Sequence, residues 1–203
     1  MGPNRATRAR GALIWGGLIA AMAIPIAAAA ASPLLAWREP VYILAGFAGI
    51  IGMSLMLLQP LLAGGRLPGL RAMRGRQVHR WIGGILVTAV IIHVAALWVT
   101  SPPDVIDALL LASPTPFSIW GVVAMWAIFA TAILAALRRR LSPRTWRRAH
   151  TALALVIVSG TVIHALLIEG TMETITKALL CALVMVATIK VVIDLKTWAR
   201  RPR

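Results

Sequence analysis

Four histidines stand in this chain of 203 residues, and they form two pairs of identical spacing: His79 with His93, and His150 with His164. Both pairs lie in long apolar stretches, where burying an imidazole is costly and a functional role is the default reading. A spacing of fourteen residues falls within ~40° of four full helical turns and rises ~21 Å. Each pair therefore sets two imidazoles on one face of one helix, near opposite sides of a hydrocarbon core ~30 Å thick. Two such helices packed face to face present two stacked bis-histidine sites. The chemistry open to them is axial ligation of two haems b, with one neutral imidazole on each side of a porphyrin. A covalently attached haem would need a Cys-x-x-Cys-His run, which is absent.

The elements that carry these histidines are membrane spans. The chain is 60% hydrophobic and 13% charged, with mean hydropathy +0.84, whereas soluble domains carry roughly 25% charged residues. Apolar runs at about 11–31, 41–63, 79–100, 118–137, 149–169 and 177–197 are long enough to cross a bilayer. The expectation is an all-α polytopic protein, a six-transmembrane-helix bundle forming one domain over residues 1–203. The first span, with its arginines and the small residues Ala27 to Ser32, also resembles a secretory signal. Its apolar run from Gly11 to Leu35, interrupted by Pro25, is long for one and favours a retained helix. The eight Trp sit mostly at span ends, as interfacial anchors do.

A net charge of +15 suggests nucleic acid until its distribution is read. Eighteen of the 21 Lys and Arg fall on one side: Arg5, Arg8 and Arg10; Arg66, Arg71, Arg74, Arg76 and Arg80; Arg138, Arg139, Arg140, Arg144, Arg147 and Arg148; Lys196, Arg200, Arg201 and Arg203. The other side has Arg38 and Lys177, with five of the six acids, Glu39, Asp104, Asp107, Glu169 and Glu173. That asymmetry orients a membrane protein with both termini cytoplasmic, and it leaves no soluble basic face for nucleic acid. The single Cys181 excludes an internal disulfide and reads as a small buried hydrophobe.

The third and fifth spans run parallel, since one span separates them, so residues of equal depth pair: His79 with His150, and His93 with His164. Arg76, Arg80, Arg147 and Arg148 flank the cytoplasmic pair and could meet haem propionates, or serve only to orient the helices. Gly83, Gly84, Ala95, Ala96, Gly160 and Ala165 leave room for a flat ring, though small residues also serve plain helix packing. A short internal echo supports two copies of one element. Val90-Ile91-Ile92-His93 matches Thr161-Val162-Ile163-His164, and two arginines precede each first histidine, Arg74 and Arg76 before His79 and Arg147 and Arg148 before His150. The loop from Thr100 to Phe117, with an apolar centre at Val105 to Ala112, reads as a short interfacial helix or a plain connector. Lys190 and Asp194 are spaced to pair on one helical face. Glu169 and Glu173 read as ordinary exposed acids, with a ferric-ion site as the sharper alternative.

The His-x13-His on the third span and again on the fifth, in a six-helix bundle, resembles the ferric reductase-like transmembrane domain superfamily. That superfamily includes NADPH oxidases, yeast and plant ferric reductases, STEAP proteins and the bacterial haem subunit MsrQ. Trp146-x-x-x-His150 is similar to the basic, Trp-containing start of the fifth helix in bacterial members. The resemblance covers about residues 41–197. It implies that the four histidines bind two haems b carrying electrons across a bacterial-type cytoplasmic (inner) membrane. The chain has no Gly-rich dinucleotide loop, in contrast to members that continue into FAD and NADPH domains. A separate donor is therefore expected: a flavoprotein, a ferredoxin-like protein or a quinone. A bound FMN or quinone, and a periplasmic reductase as acceptor, are further implications of the MsrQ likeness. The rival from another class is a small proton-coupled transporter with the histidines as proton relay. It usually needs intramembrane carboxylates, and only Asp194 lies within a span.

Overall fold

The computed structural model describes residues 5–70 and 72–199. Of the basic residues counted above, Arg71, Arg200, Arg201 and Arg203 lie outside the described residues, as does the side chain of Lys196. Among the described residues every regular element is helical: α1 (Arg5–Ala30), α2 (Pro40–Ala63), α3 (Ala72–Thr100), α4 (Pro102–Leu109), α5 (Ser118–Ala136), α6 (Pro143–Leu167) and α7 (Thr174–Ala199). Six are long and apolar enough to cross a membrane; α4 is the exception. In hydrocarbon a chain must satisfy its own backbone groups, and a helix does so within one segment.

The helices overrun the apolar windows at the basic end. The third span begins at Ala72 rather than 79, and the fifth at Pro143 rather than 149, ending at Leu167 rather than 169. Arginine is a good helix former and its long side chain reaches water from the first turns, so hydropathy marks the bilayer and not the helix. At α6 the start is set by chemistry: the Ser142 side chain accepts from the Thr145 backbone N–H at 3.2 Å, and Pro143 occupies the first helical position. His79 and His150 each fall seven residues into their helices, about two turns from the start.

Packing follows a simple order. α2 lies against α3 and α7, α7 against α6, and α6 against α5; α1 lies outside, on α2 and α7. The short α4, with Val105 buried, bridges α3 and α5 at the end that carries the acids. α3 and α6, the two histidine helices, are not a closely packed pair. The core sits instead where α2, α5, α6 and α7 meet, around Met53, Met56, Leu57, Ile128, Ile157, Val158, Leu180, Cys181 and Val184. Cys181 is 2% exposed there, a buried small hydrophobe as its apolar helix implied.

Two polar contacts tie elements together near the ends. Asp194 of α7 pairs with Arg66 of the α2–α3 turn, and Lys190 stands 3.8 Å from the same carboxylate. The expected Lys190–Asp194 pair is thus present but secondary, because Arg66 reaches over from the neighbouring hairpin. At the other end Lys177 is 7% exposed and its Nζ donates to the Ile168 carbonyl at 2.6 Å, closing the C-terminus of α6. Replacing Ser142 with Ala should cost about 1 kcal/mol through the lost cap. Thermal unfolding of the purified protein checks this as a lowered Tm, with no change in helix content at 25 °C.

Candidate functional site

α2 and α3 form an antiparallel hairpin, and its register fixes both histidines of α3. His93 Nδ1 lies 2.7 Å from the Ala45 carbonyl, and His79 Nδ1 lies 3.2 Å from the Gln59 carbonyl. Ala45 and Gln59 are fourteen residues apart, as are the histidines, so one register serves both contacts. A carbonyl only accepts, so each Nδ1 carries its proton and donates, and each Nε2 keeps a lone pair free for a metal. Gln59 grips twice, for its side-chain Nε2 also donates to the His79 carbonyl at 3.4 Å.

The hairpin of α5 and α6 repeats the device once. His164 Nδ1 donates to the Phe117 carbonyl at 2.8 Å, and the Phe117 ring meets the imidazole edge-on at 5.8 Å. His150 is held differently. Its Nδ1 is buried with no hydrogen-bond partner among the described residues. Its ring stacks on Trp146 at 4.9 Å and 17°, and the Arg138 guanidinium lies over the Trp146 ring at 5.3 Å.

Across the bundle, His79 and His150 face each other with ring centres 6.1 Å apart and planes at 71°. Two imidazoles bound to one metal on opposite sides stand about 6 Å apart, from two metal–nitrogen bonds of ~2 Å plus a ring radius at each end. His93 and His164 lie fourteen residues further along the same two helices. The loose apposition of α3 and α6, the free Nε2 atoms and the 6.1 Å separation fit a group ligated between the two helices. Four nitrogen donors with few other polar groups suit haem iron.

The remaining sequence candidates divide. Arg76, Arg80, Arg147 and Arg148 are exposed at the basic end, Arg76 resting on the Met73 sulfur at 3.2 Å and Arg80 beside Gln77 and Trp81. Gly84 opens onto empty space, whereas a Cβ on Gly83 would touch Gln59 Nε2 at 3.6 Å. Gly160 faces α5, where a Cβ would meet the Trp120 carbonyl at 3.0 Å, so it serves helix packing. Glu169 and Glu173 are exposed acids, the reading preferred from the sequence. Both residues lie between α6 and α7, off any helix, and Glu173 uses both carboxylate oxygens to cap α7, accepting from Ile175 and Thr176 N–H at 2.7 Å each. Those donors, Thr176 first, hold its pKa below the usual glutamate range and keep it a capping anion.

Sequence reasoning missed the partners on the neighbouring helices: the carbonyls of Ala45, Gln59 and Phe117, and Gly49 and Gly121, whose added Cβ atoms would strike the rings of His93 and His164. A backbone carbonyl has no sequence signature. The two glycines were legible only once the hairpin register was known.

No curated protein and no solved structure matches the chain. The family model for the ferric reductase like transmembrane component matches residues 45–161. The matched stretch begins at Ala45, holds His79, His93 and His150, and stops three residues short of His164. It spans more than half of the 203 residues, and the chain belongs to the ferric reductase-like transmembrane family.

Proposed function

We propose that this chain is a di-haem b subunit that moves single electrons across a bacterial-type cytoplasmic membrane, from its basic, cytoplasmic side to its acidic, outer side. Membership of the family supports a transmembrane electron-transfer role, and domains of this family typically bind haem. The observation that carries the reading is the His79–His150 pair, with ring centres 6.1 Å apart between two helices that do not otherwise pack closely.

His79 and His150 are the proposed ligands near the basic end, and His93 and His164 those at the other. Haem bound there supplies a reversible one-electron ferric/ferrous couple. The chain's own residues do the rest. Carbonyls of Ala45, Gln59 and Phe117 hold three imidazoles in the Nδ1–H tautomer and leave Nε2 as the ligating atom. The apolar faces of α3 and α6 exclude water. Arg76, Arg80, Arg147 and Arg148, exposed beside the first pair, are the proposed propionate partners. Fastening three rings to helix carbonyls favours ligation over a proton relay, because a carbonyl accepts a hydrogen bond and passes no proton on.

The exposed arginines of the α5–α6 turn, Arg139, Arg140 and Arg144, form the proposed dock for a separate acidic donor, a flavoprotein or ferredoxin-like protein. A quinone donor, a bound FMN and a periplasmic reductase as acceptor belong to the same reading.

A dithionite-reduced-minus-oxidised spectrum with pyridine haemochrome quantitation should give two haems b per chain, and one each in His79→Ala and His93→Ala. A colourless protein, expressed with haem supplied, would sink the reading. Charge neutralisation at Arg139, Arg140 and Arg144 together should slow reduction by an acidic donor protein several-fold at low salt and flatten its salt dependence. Stopped-flow reduction at two ionic strengths checks this; an unchanged rate at both removes the docking role.

A further inference from the structure

The four histidines and the carbonyls opposite them make a graded series. In each hairpin the accepting carbonyl belongs to a residue within a helix or capping its start, and the residue four positions on lies beside that oxygen, sending its own N–H toward it. Four after Ala45 comes Gly49, and the ring of His93 approaches to 2.7 Å. Four after Phe117 comes Gly121, and His164 approaches to 2.8 Å, sharing the carbonyl with the Gly121 N–H at 3.2 Å. Four after Gln59 comes Ala63, and His79 stays at 3.2 Å. Counting the same antiparallel register onward from Phe117 and His164 brings Thr131 level with His150. Four after Thr131 comes Ala135, and His150 Nδ1 finds no hydrogen-bond partner among the described residues. Glycine goes with a close ring, alanine with a distant or absent one.

The steric cause is visible at both glycines. A Cβ on Gly121 would stand 2.6 Å from His164 Nδ1 and 2.7 Å from its Cε1, distances no side chain tolerates. On Gly49 it would stand 3.2 and 3.3 Å from the same atoms of His93, tight but within reach of a small shift. A helical glycine costs up to about 1 kcal/mol relative to alanine, and here it opens a carbonyl to a side chain from the next helix. Mere helix packing does not explain it, because the added atoms would strike imidazole rings rather than a neighbouring backbone.

Resting on the proposed haem ligation, we infer that Gly49 and Gly121 are positioning residues for the pair at the acidic end: by exposing the Ala45 and Phe117 carbonyls they fix the tautomer and ring plane of His93 and His164. The pair at the basic end, with alanine at both equivalent positions, is held by Gln59 on one side and by stacking on Trp146 on the other.

The test is made on the full chain purified with haem. Gly121→Ala should lose the haem assigned to His93 and His164, or move its low-spin EPR g value and midpoint potential, while the signal assigned to His79 and His150 stays put. Gly49→Ala should keep both haems and shift only the first. Gly17→Ala, on the outlying helix α1 where a Cβ meets nothing within 4 Å, serves as the control and should change neither. Ala135→Gly is the converse variant and should shift the other signal, by opening the Thr131 carbonyl to His150. Two haems in the wild type with an unaltered acidic-end signal in both glycine variants would overturn the inference while leaving the proposed function intact. Should Gly121→Ala not accumulate as folded protein, Gly49→Ala decides by the same criterion. A wild-type protein without haem removes both.

Discussion

The hydrogen bond from an imidazole Nδ1 to a carbonyl of the adjacent helix is the constraint on which the rest of this structure depends. It does three things together: it satisfies a buried polar atom, it selects the tautomer, and it locks the antiparallel register of a hairpin. In α2–α3 it is made twice, fourteen residues apart, so a slip of one residue would break both bonds and rotate both rings off the facing surface. In lipid such a bond has little competition from water, and leaving the nitrogen unpaired would cost more than in a soluble core. The apolar face of the helix supplies no comparable specificity, since lipid tails are as apolar as leucine.

This explains why the architecture is two hairpins rather than six interchangeable spans. α2–α3 and α5–α6 are each closely packed, α7 joins α2 to α6, and α3 and α6 are left apposed but not in close contact. A bundle that packed α3 tightly on α6 would fill the space between the imidazoles. The small residues go where helices must touch: Gly160 lies against α5, and Gly64 against Val191 of α7, where a Cβ would come within 2.8 Å.

Much of this was legible in the sequence because hydrophobic run length, charge asymmetry and histidine spacing are each tied to one physical quantity. Run length reports bilayer thickness, so all six spans were found, while their starts at Ala72 and Pro143 were set by arginine helicity and the Ser142 cap. The fourteen-residue spacing reports helix phase, so the sharing of one face by His79 and His93 followed directly. The apposition of His79 with His150 needed only the parallel sense of two helices separated by one. What could not be read was anything carried by main chain, such as the Phe117 carbonyl, or by a missing atom, as at Gly49. Glu169 and Glu173 read as ordinary exposed acids and are exposed, between two helices.

The two histidine pairs are consequently not equivalent. Both rings at the acidic end donate Nδ1–H to a carbonyl, at 2.7 and 2.8 Å. At the basic end His79 does so at 3.2 Å, and His150 rests on the Trp146 face under the influence of Arg138. Donation from Nδ1 pushes electron density to Nε2 and makes the imidazole a more basic donor. The two ends therefore differ in how firmly the main chain fastens the rings and in the charge around them. The difference is written into main-chain contacts and charge placement, with histidine at all four positions.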